Sequence, residues 1–451
     1  MKKNISGEPM PNNSSMTLVN GVFEAEKRFS PVGPLYVAAV LEEHGWAVDF
    51  REYQLNNFET PFAVDTFLSF LDDACDIIGI SCYSDFLPVV LLAVEKLKQA
   101  QPGKFVILGG EGPTGVAAEI LKHFPYVDMI VMGEGETTIV EVVDCLREGG
   151  DLRQVKGIGF RQGEEVVINP GRELVSDLDT IPFPAHEKVN LDAYQMVGMT
   201  SSRGCPFGCT FCDVAPFWGH RHRVRSVGNV IEEIKLLKQA YGQDTITFYD
   251  ELFTFSRDRV LEFCRRLKNE NLDIRWSCLA RIDSMDEHLM QSMADSGCNM
   301  VSYGVESGSD KVQQAMKKRL TRQKIEEIIS LSVKYFEYIQ TFFVWGFPFE
   351  TMADFQDTME LIAFVSELGT NPTVGYLAPF PLSRLCRENR ESLRFSRKIY
   401  LDSHANKGRE MTDLIEGYPT VFPGFYVWES ALMEEKYEAA KQLGLNTPFL
   451  P

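Results

Sequence analysis

The chain has 451 residues and a formal net charge of −19, with 64 acidic against 45 basic side chains. That length exceeds one ordinary core, and about 150 residues per domain implies two or three. The acidic balance argues against a nucleic-acid partner held by overall charge, no long apolar run marks a membrane span, and the start MKKNISGEPMPNNSSMTLVNG lacks a signal peptide's apolar stretch, so a cytoplasmic protein is expected.

From residue 31 helix-like and strand-like segments alternate. GPLYVAAVLEEHGW (33–46) has helical spacing, AVDFREY (47–53) and DIIGISCY (76–83) read as strands, and LPVVLLAVEKLKQA (87–100) as a helix. KFVILGG (104–110), a helix over 114–124, MIVMGEGE (129–136) and a helix over 138–150 follow. Apolar strands between amphipathic helices imply a parallel sheet covered on both faces, hence an α/β doubly wound, Rossmann-like domain over 1–156. Ligands of such sheets sit at the carboxyl ends of the strands, which singles out Gly109, Gly110, Gly133 and Gly135.

The segment 157–195 reads as a linker, opening with a short hairpin and then broken by Pro182 and Pro184. Strands are then predicted at 196–201, 245–251, 274–281, 299–307, 338–347 and 372–379. Helices at 227–241, 256–270, 285–296, 321–335 and 351–368 separate them. Six such units suggest a parallel barrel or partial barrel over 196–385. Residues 386–451 form a C-terminal tail with a helical stretch at 430–444.

Seven of the ten cysteines are scattered through apolar segments, as buried small hydrophobes are. The other three, Cys205, Cys209 and Cys212, crowd into SSRGCPFGCTFCDV (201–214), just past the first barrel strand, where barrel enzymes keep their chemistry. A zinc site would want a fourth donor, with His220 and His222 nearest. Three thiolates on an iron–sulfur cluster, in a reducing compartment, form the leading alternative; on four irons they leave one iron open to a substrate or cofactor.

The CPFGCTFC loop resembles that of the radical S-adenosylmethionine superfamily. FWGHRHRVRSVGNVIEEI (217–234), TFYDELFTFSRDRV (247–260), the stretch 276–312 and VWGFPFETMADFQDTMEL (344–361) resemble, in order, segments of the subclass with an N-terminal cobalamin-binding-type domain. GPLYVAAVLEEHGW, LGGEGPTGVAAEILKHFPYVDMIVMGEGE and DLDTIPFPAHE are similar to that domain and its linker. The resemblance implies a [4Fe–4S] cluster on the three cysteines and S-adenosylmethionine on the open iron. Cleavage there gives a 5′-deoxyadenosyl radical that takes a hydrogen atom from substrate. It also implies cobalamin in the N-terminal domain, a small-molecule substrate, and an electron donor such as flavodoxin or ferredoxin. Glu306, with Ser307, resembles the residue that helps hold the methionyl group. Asp250 and Glu251 end the second barrel strand, placed to accept from a ribose or ammonium. Arg281 ends the third, placed to pair with a carboxylate, and Arg223 and Arg225 are candidates for a substrate carboxylate or for a solvated face. Phe217 and Trp218 are expected to pack beneath the loop.

Where the resembled pattern has a histidine in the glycine turn, this chain has Gly112 in GGEGPT. The double proline near the first strand and the PYPGT-like turn late in the barrel are replaced by LVNGVFEAEKRFSPVGPLY and PFPLSRL. Two chemistries are therefore expected in order: cobalamin-dependent methylation of an unactivated carbon, or corrin-free dehydration, deoxygenation or rearrangement of a sugar, lipid or natural-product intermediate. A non-catalytic sensor and tRNA methylthiolation are disfavoured, because no DNA-binding module or basic RNA-binding tail is found.

Overall fold

A computed structural model describes residues 14–22, 29–403, 408–428, 432–442 and 447–449. They divide into two units. The first takes the described residues through Ser176, with Thr180–Gln195 and the stretch ending at Pro423. The second takes Asp177–Asp179, Met196–Ser403 and the stretch from Gly424 onward.

In the first unit the strands are β1 (Ser15–Asn20), β2 (Ala47–Glu52), β3 (Ile77–Ser81), β4 (Phe105–Gly109), β5 (Met129–Val131), β6 (Ile158–Gln162) and β7 (Glu165–Ile168), in the spatial order β2-β1-β3-β4-β5-β6-β7. The first five are parallel and the last two antiparallel. This is the flavodoxin-like order, whose ligand crevice lies where the winding reverses, between β1 and β3. Helices Val32–Glu43, Leu87–Ala100 and Glu136–Glu148 supply apolar faces. Residues such as Leu41, Ile107, Met129 and Val143 close one core.

The expected doubly wound domain is present, with two differences. Central strand β1 lies before residue 31, outside the predicted alternation, and the hairpin predicted as the start of a linker is β6–β7, which extends this sheet. Ile158 and Phe160 are buried in it, which a solvated linker would not allow.

In the second unit the sheet runs β18-β15-β14-β13-β12-β11-β8, all parallel: β8 (Gly198–Met199), β11 (Thr245–Phe248), β12 (Arg275–Ala280), β13 (Cys298–Glu306), β14 (Tyr338–Trp345), β15 (Asn371–Leu377) and β18 (Thr447–Phe449). Two ribbons flank it, β9 (Ser202–Arg203) with β10 (Arg223–Val224), and β16 (Leu393–Arg394) with β17 (Val427–Trp428). The six predicted strands and five predicted helices of the barrel are present. The tail differs from the expected helical appendage. Helix Gly408–Gly417 joins the first unit, where Tyr418 packs on Phe124 and Thr420 donates to Glu119 (2.9 Å). Strand β18 adds a seventh member to the barrel sheet. Helix Met433–Gln442 carries Lys436, whose ammonium is buried against the Glu350 carboxylate (2.9 Å) and the Glu350 carbonyl (2.6 Å), in the turn after β14.

One polar group in the first unit makes stability depend on pH. Asn20 donates to both oxygens of Glu52 (2.9 and 3.1 Å), and the Tyr194 hydroxyl donates at 3.1 Å. Burial nevertheless raises the Glu52 carboxyl to about 7, with these bonds opposing it. The unfolded chain ionises this group first, so stability present in acid is lost as pH rises from the ordinary carboxylate range through about 7. Glu52→Gln is expected to be neutral near pH 4 and stabilising by about 1–2 kcal/mol at pH 8, after discounting partial exposure. Urea midpoints at the two pH values check it.

Candidate active site

The first barrel strand stops after two residues because a buried carboxylate captures the chain. Asp250, just beyond β11, accepts from the Ser201 amide (2.7 Å), the Ser201 hydroxyl (2.6 Å) and the Ser202 hydroxyl (2.5 Å). The backbone turns out of the sheet there and enters the β9–β10 ribbon. Glu251 holds the next step, accepting from the Gly204 amide (2.9 Å) and the Trp218 indole (2.6 Å). Burial raises both carboxyls above their usual range, and these hydrogen bonds oppose the rise. Neither residue is a solvated strand end.

Gly204 opens the cysteine loop at φ +88°, and a Cβ there would stand 2.2 Å from the Arg221 carbonyl oxygen and 2.8 Å from Trp218 Cβ, so this position requires glycine. Trp218 thus packs beneath the loop, as expected. Cys205, Cys209 and Cys212 follow as free, half-buried thiols. The loop is tied to the barrel at Thr210, whose amide donates to Met316 (2.9 Å) and whose carbonyl accepts from Leu385 (2.7 Å). Phe211 meets Phe347 edge-on at 5.7 Å.

Burial pushes the Cys205 thiol up and the Cys212 thiol well up. A bound cation would turn these sulfurs into thiolates, because its charge inverts the balance. Three thiols on one glycine-rich loop, with no disulfide, fit an iron–sulfur cluster as donor set. His222, one of the two histidines nearest the loop, lies tilted against the Phe255 ring at 4.7 Å.

The other strand-end residues have protein partners. Arg281, after β12, forms a two-point ion pair with Asp283 (2.8 and 2.8 Å), donates to the Lys318 carbonyl (3.0 Å) and covers the Phe207 ring at 4.0 Å. Glu306 ends β13 at φ +68°, in a register shift, and pairs with buried Lys318 (2.6 Å). Lys317 and Arg319 also have positive φ, so strained backbone lies on both sides of this pair, at the end of β13 and in the turn that carries Lys318. Ser307 is fully buried, sharing its hydroxyl with Thr358 (3.0 Å). Arg225 belongs neither to a solvated face nor to an open site: it is buried, ion-paired with Glu233, and donates to the Thr200 carbonyl (2.7 Å). Arg223 lies over Trp218 at 5.5 Å.

In the first unit, Gly109 ends β4 with a Cβ position meeting only the Val131 carbonyl at 3.8 Å, and at Gly133, after β5, nothing lies within 4 Å. Gly110 (φ +92°) is tight against Ser81 and Cys82, and Gly135 lies 3.5 Å from Val37. Thr114 joins the two turns, donating to Gly110 (2.6 Å) and accepting from Gly133 (3.3 Å). A Cβ at Gly112 would come within 2.6 Å of the Tyr83 carbonyl carbon, so no histidine fits the place where the resembled pattern carries one. The carboxyl edge is thus cleared of side chains at Gly109 and Gly133, a cradle suited to a large flat ligand's polar tail.

A family model described as the Radical SAM superfamily matches residues 199–362, and one described as the B12 binding domain matches residues 21–143. An uncharacterized methyltransferase of Pyrococcus horikoshii is 31% identical over 316 residues, covering 69% of this chain and 68% of that protein. The chain belongs to the radical SAM superfamily, in the branch with a B12-binding domain. It is an enzyme of that family. A cytidylyl-2-hydroxyethylphosphonate methyltransferase of Streptomyces wedmorensis is 28% identical over 369 residues, covering 70% of this chain and 69% of its own. Among solved structures, the radical SAM methyltransferase TsrM of Kitasatospora setae, with tryptophan substrate and a SAM analogue bound, shares the fold with a TM-score of 0.74 at 17% identity, covering 96% of this chain and 89% of that one. TsrM has also been solved with cobalamin and a [4Fe–4S] cluster bound. Among the described residues no helix is long and apolar enough to cross a membrane.

Lys318 was not singled out in the sequence, although AMKKRLT places two lysines directly after a short helix. Its pairing with Glu306 ties that strand-end carboxylate into the fold. Gly304 makes the room, since a Cβ there would stand 2.6 Å from Glu306 Oε1 and 2.8 Å from Lys318 Nζ. Glu306→Gln leaves a buried ammonium without its counter-charge and is expected to cost about 3 kcal/mol, most of which Glu306→Gln with Lys318→Met recovers. Chemical unfolding of the cluster-free protein measures both.

Proposed function

We propose that this enzyme functionalises an unactivated carbon of a small molecule by cobalamin-dependent C-methylation, working in the cytoplasm with a one-electron protein donor. The observation that carries the reading is the three-cysteine loop at the carboxyl end of a parallel barrel, in a chain that also has a flavodoxin-like unit with a glycine-cleared edge. When bound, the cluster supplies the electron that cleaves S-adenosylmethionine, and cobalamin supplies the methyl group.

Cys205, Cys209 and Cys212 hold the cluster as thiolates. Asp250 and Glu251 set the path of the loop; their oxygens accept from its backbone and side chains, so they act on the cofactor through the loop. Arg281 keeps a cation near Cys205, where its charge opposes the rise that burial gives that thiol, and covers Phe207. Glu306, backed by Lys318 and with Ser307 behind it, receives the methionyl end of S-adenosylmethionine. Gly109, Gly110, Gly133 and Gly135 leave backbone open to the cobalamin tail. With Gly112 fixed by Tyr83, this turn would offer bound cobalamin its backbone and no histidine.

Protein reconstituted with iron, sulfide and hydroxocobalamin is expected to keep corrin absorbance through gel filtration and to form 5′-deoxyadenosine. Changing Cys205, Cys209 and Cys212 together to alanine should abolish 5′-deoxyadenosine and leave the corrin bound. Protein that makes 5′-deoxyadenosine yet retains no corrin removes the methylation reading and leaves corrin-free radical chemistry.

A further inference from the structure

Gln313 is fully buried in the short helix Asp310–Ala315, behind the end of β13. Its side-chain amide donates to the Val305 carbonyl (2.8 Å) and the Ser307 carbonyl (2.7 Å), the residues on either side of Glu306. Its own backbone carbonyl accepts from the Lys318 amide (3.1 Å) and the Arg319 amide (3.1 Å). One residue thus grips the backbone around both members of the Glu306–Lys318 pair.

The conformation it grips is strained. The Ser307 amide returns to the Val305 carbonyl (3.0 Å) across Glu306, whose φ is +68°, and a three-residue turn with positive φ at its centre is the disfavoured form. Such a turn persists only where its neighbours over-determine it. Both side-chain N–H groups of Gln313 are spent on this turn, whereas Oε1, equally buried, has no hydrogen-bond partner among the described residues. A buried carbonyl left unpaired costs stability, so packing alone does not call for an amide here; the two N–H donors do.

The same helix reaches the cysteine loop. Met316, at its C-terminal end, accepts from the Thr210 amide (2.9 Å), and Val312 and Met316 share an apolar cluster with Phe347 against which Phe211 packs. Thr210 and Phe211 lie between Cys209 and Cys212. A helix of six residues therefore bridges the two halves of the site, with Gln313 on Glu306 and Met316 on the loop.

We propose that Gln313 is a positioning residue for S-adenosylmethionine: through helix Asp310–Ala315 it sets the spacing between Glu306, which receives the methionyl end, and the cysteine loop, at whose open iron the same end binds. The inference rests on the function proposed above and adds the residue that fixes its geometry. A methionyl group has to satisfy both partners at once, so a change in their spacing weakens binding even where each partner is intact.

Gln313→Met keeps the side-chain volume and removes both donors. Tyr303→Phe is the control, because the Tyr303 hydroxyl bonds Ser332 (2.9 Å) on the helix-facing side of the same strand. Reconstituted Gln313→Met should keep about four irons per chain and the reduced-cluster resonance. The S-adenosylmethionine concentration that half-perturbs that resonance should rise about tenfold or more, and the KM for S-adenosylmethionine in 5′-deoxyadenosine formation should rise with it, kcat changing less. Tyr303→Phe should lower the urea midpoint and leave the titration where it is. Where Gln313→Met does not fold, Gln313→Glu, which keeps the length and loses both N–H donors, should show the same shift. An unshifted titration in the folded variant, an equal shift in Tyr303→Phe, loss of the cluster, or failure of both Gln313 variants to fold overturns the proposal. Glu306→Gln separates it from the reading beneath it. No shift in Glu306→Gln, or a cluster in the unaltered protein that S-adenosylmethionine does not perturb, removes the ligand from Glu306 and the proposal with it; a shift in Glu306→Gln but none in Gln313→Met removes the proposal alone.

Discussion

Two adjacent buried carboxylates at the end of one short strand determine where the cysteine loop runs. Asp250 takes the Ser201 amide and two hydroxyls, and Glu251 takes the Gly204 amide and the Trp218 indole. Each is desolvated, so each depends on its donors: a buried carboxylate without them costs several kcal/mol. The loop in turn depends on the carboxylates at its entry, while Thr210 and Phe211 tie its far half to the barrel. The cysteines therefore inherit their positions from residues some 40 places later in the sequence, which is how a parallel barrel assembles a site from several strand ends.

A second constraint of the same kind shapes the end of β13. Glu306 and Lys318 neutralise one another inside the fold, Gly304 leaves space for them, and three non-glycine residues adopt positive φ around them. Strain of this sort persists only where neighbouring structure over-determines it. The ion pair, the Arg281 bond to the Lys318 carbonyl and the Met316 bond to the cysteine loop together supply that determination. In the flavodoxin-like unit the logic is reversed: the site edge is made by leaving side chains out, at Gly109 and Gly133.

Much of this was legible in the sequence, for physical reasons. Helix and strand periods are local, so the barrel alternation from 227 to 379 could be read almost element by element, and the cysteine spacing announced its loop. What escaped depends on distant partners. Strand β1 was hidden because MTLVN is short and surrounded by polar residues, yet the sheet buries it between β2 and β3. The hairpin at 158–168 looked like part of the connector because it runs straight into the proline-broken segment, and only pairing with β5 reveals it as part of the sheet. Arg225 could not be told from its exposed neighbours in HRHRVR, since its burial is settled by Glu233 on the following helix. Asp250 and Glu251 were recognised as important by position, whereas their donors, Ser201, Ser202, Gly204 and Trp218, were not foreseeable from spacing.

The central claim is that three thiolates hold a four-iron cluster and leave one iron open. It is tested most directly by anaerobic reconstitution, iron and sulfide analysis, and electron paramagnetic resonance of the reduced protein before and after adding S-adenosylmethionine. The account predicts about four irons per chain and a reduced-cluster signal that S-adenosylmethionine perturbs, because the ligand enters the coordination sphere. A single metal ion per chain, or a cluster signal indifferent to S-adenosylmethionine, would contradict it.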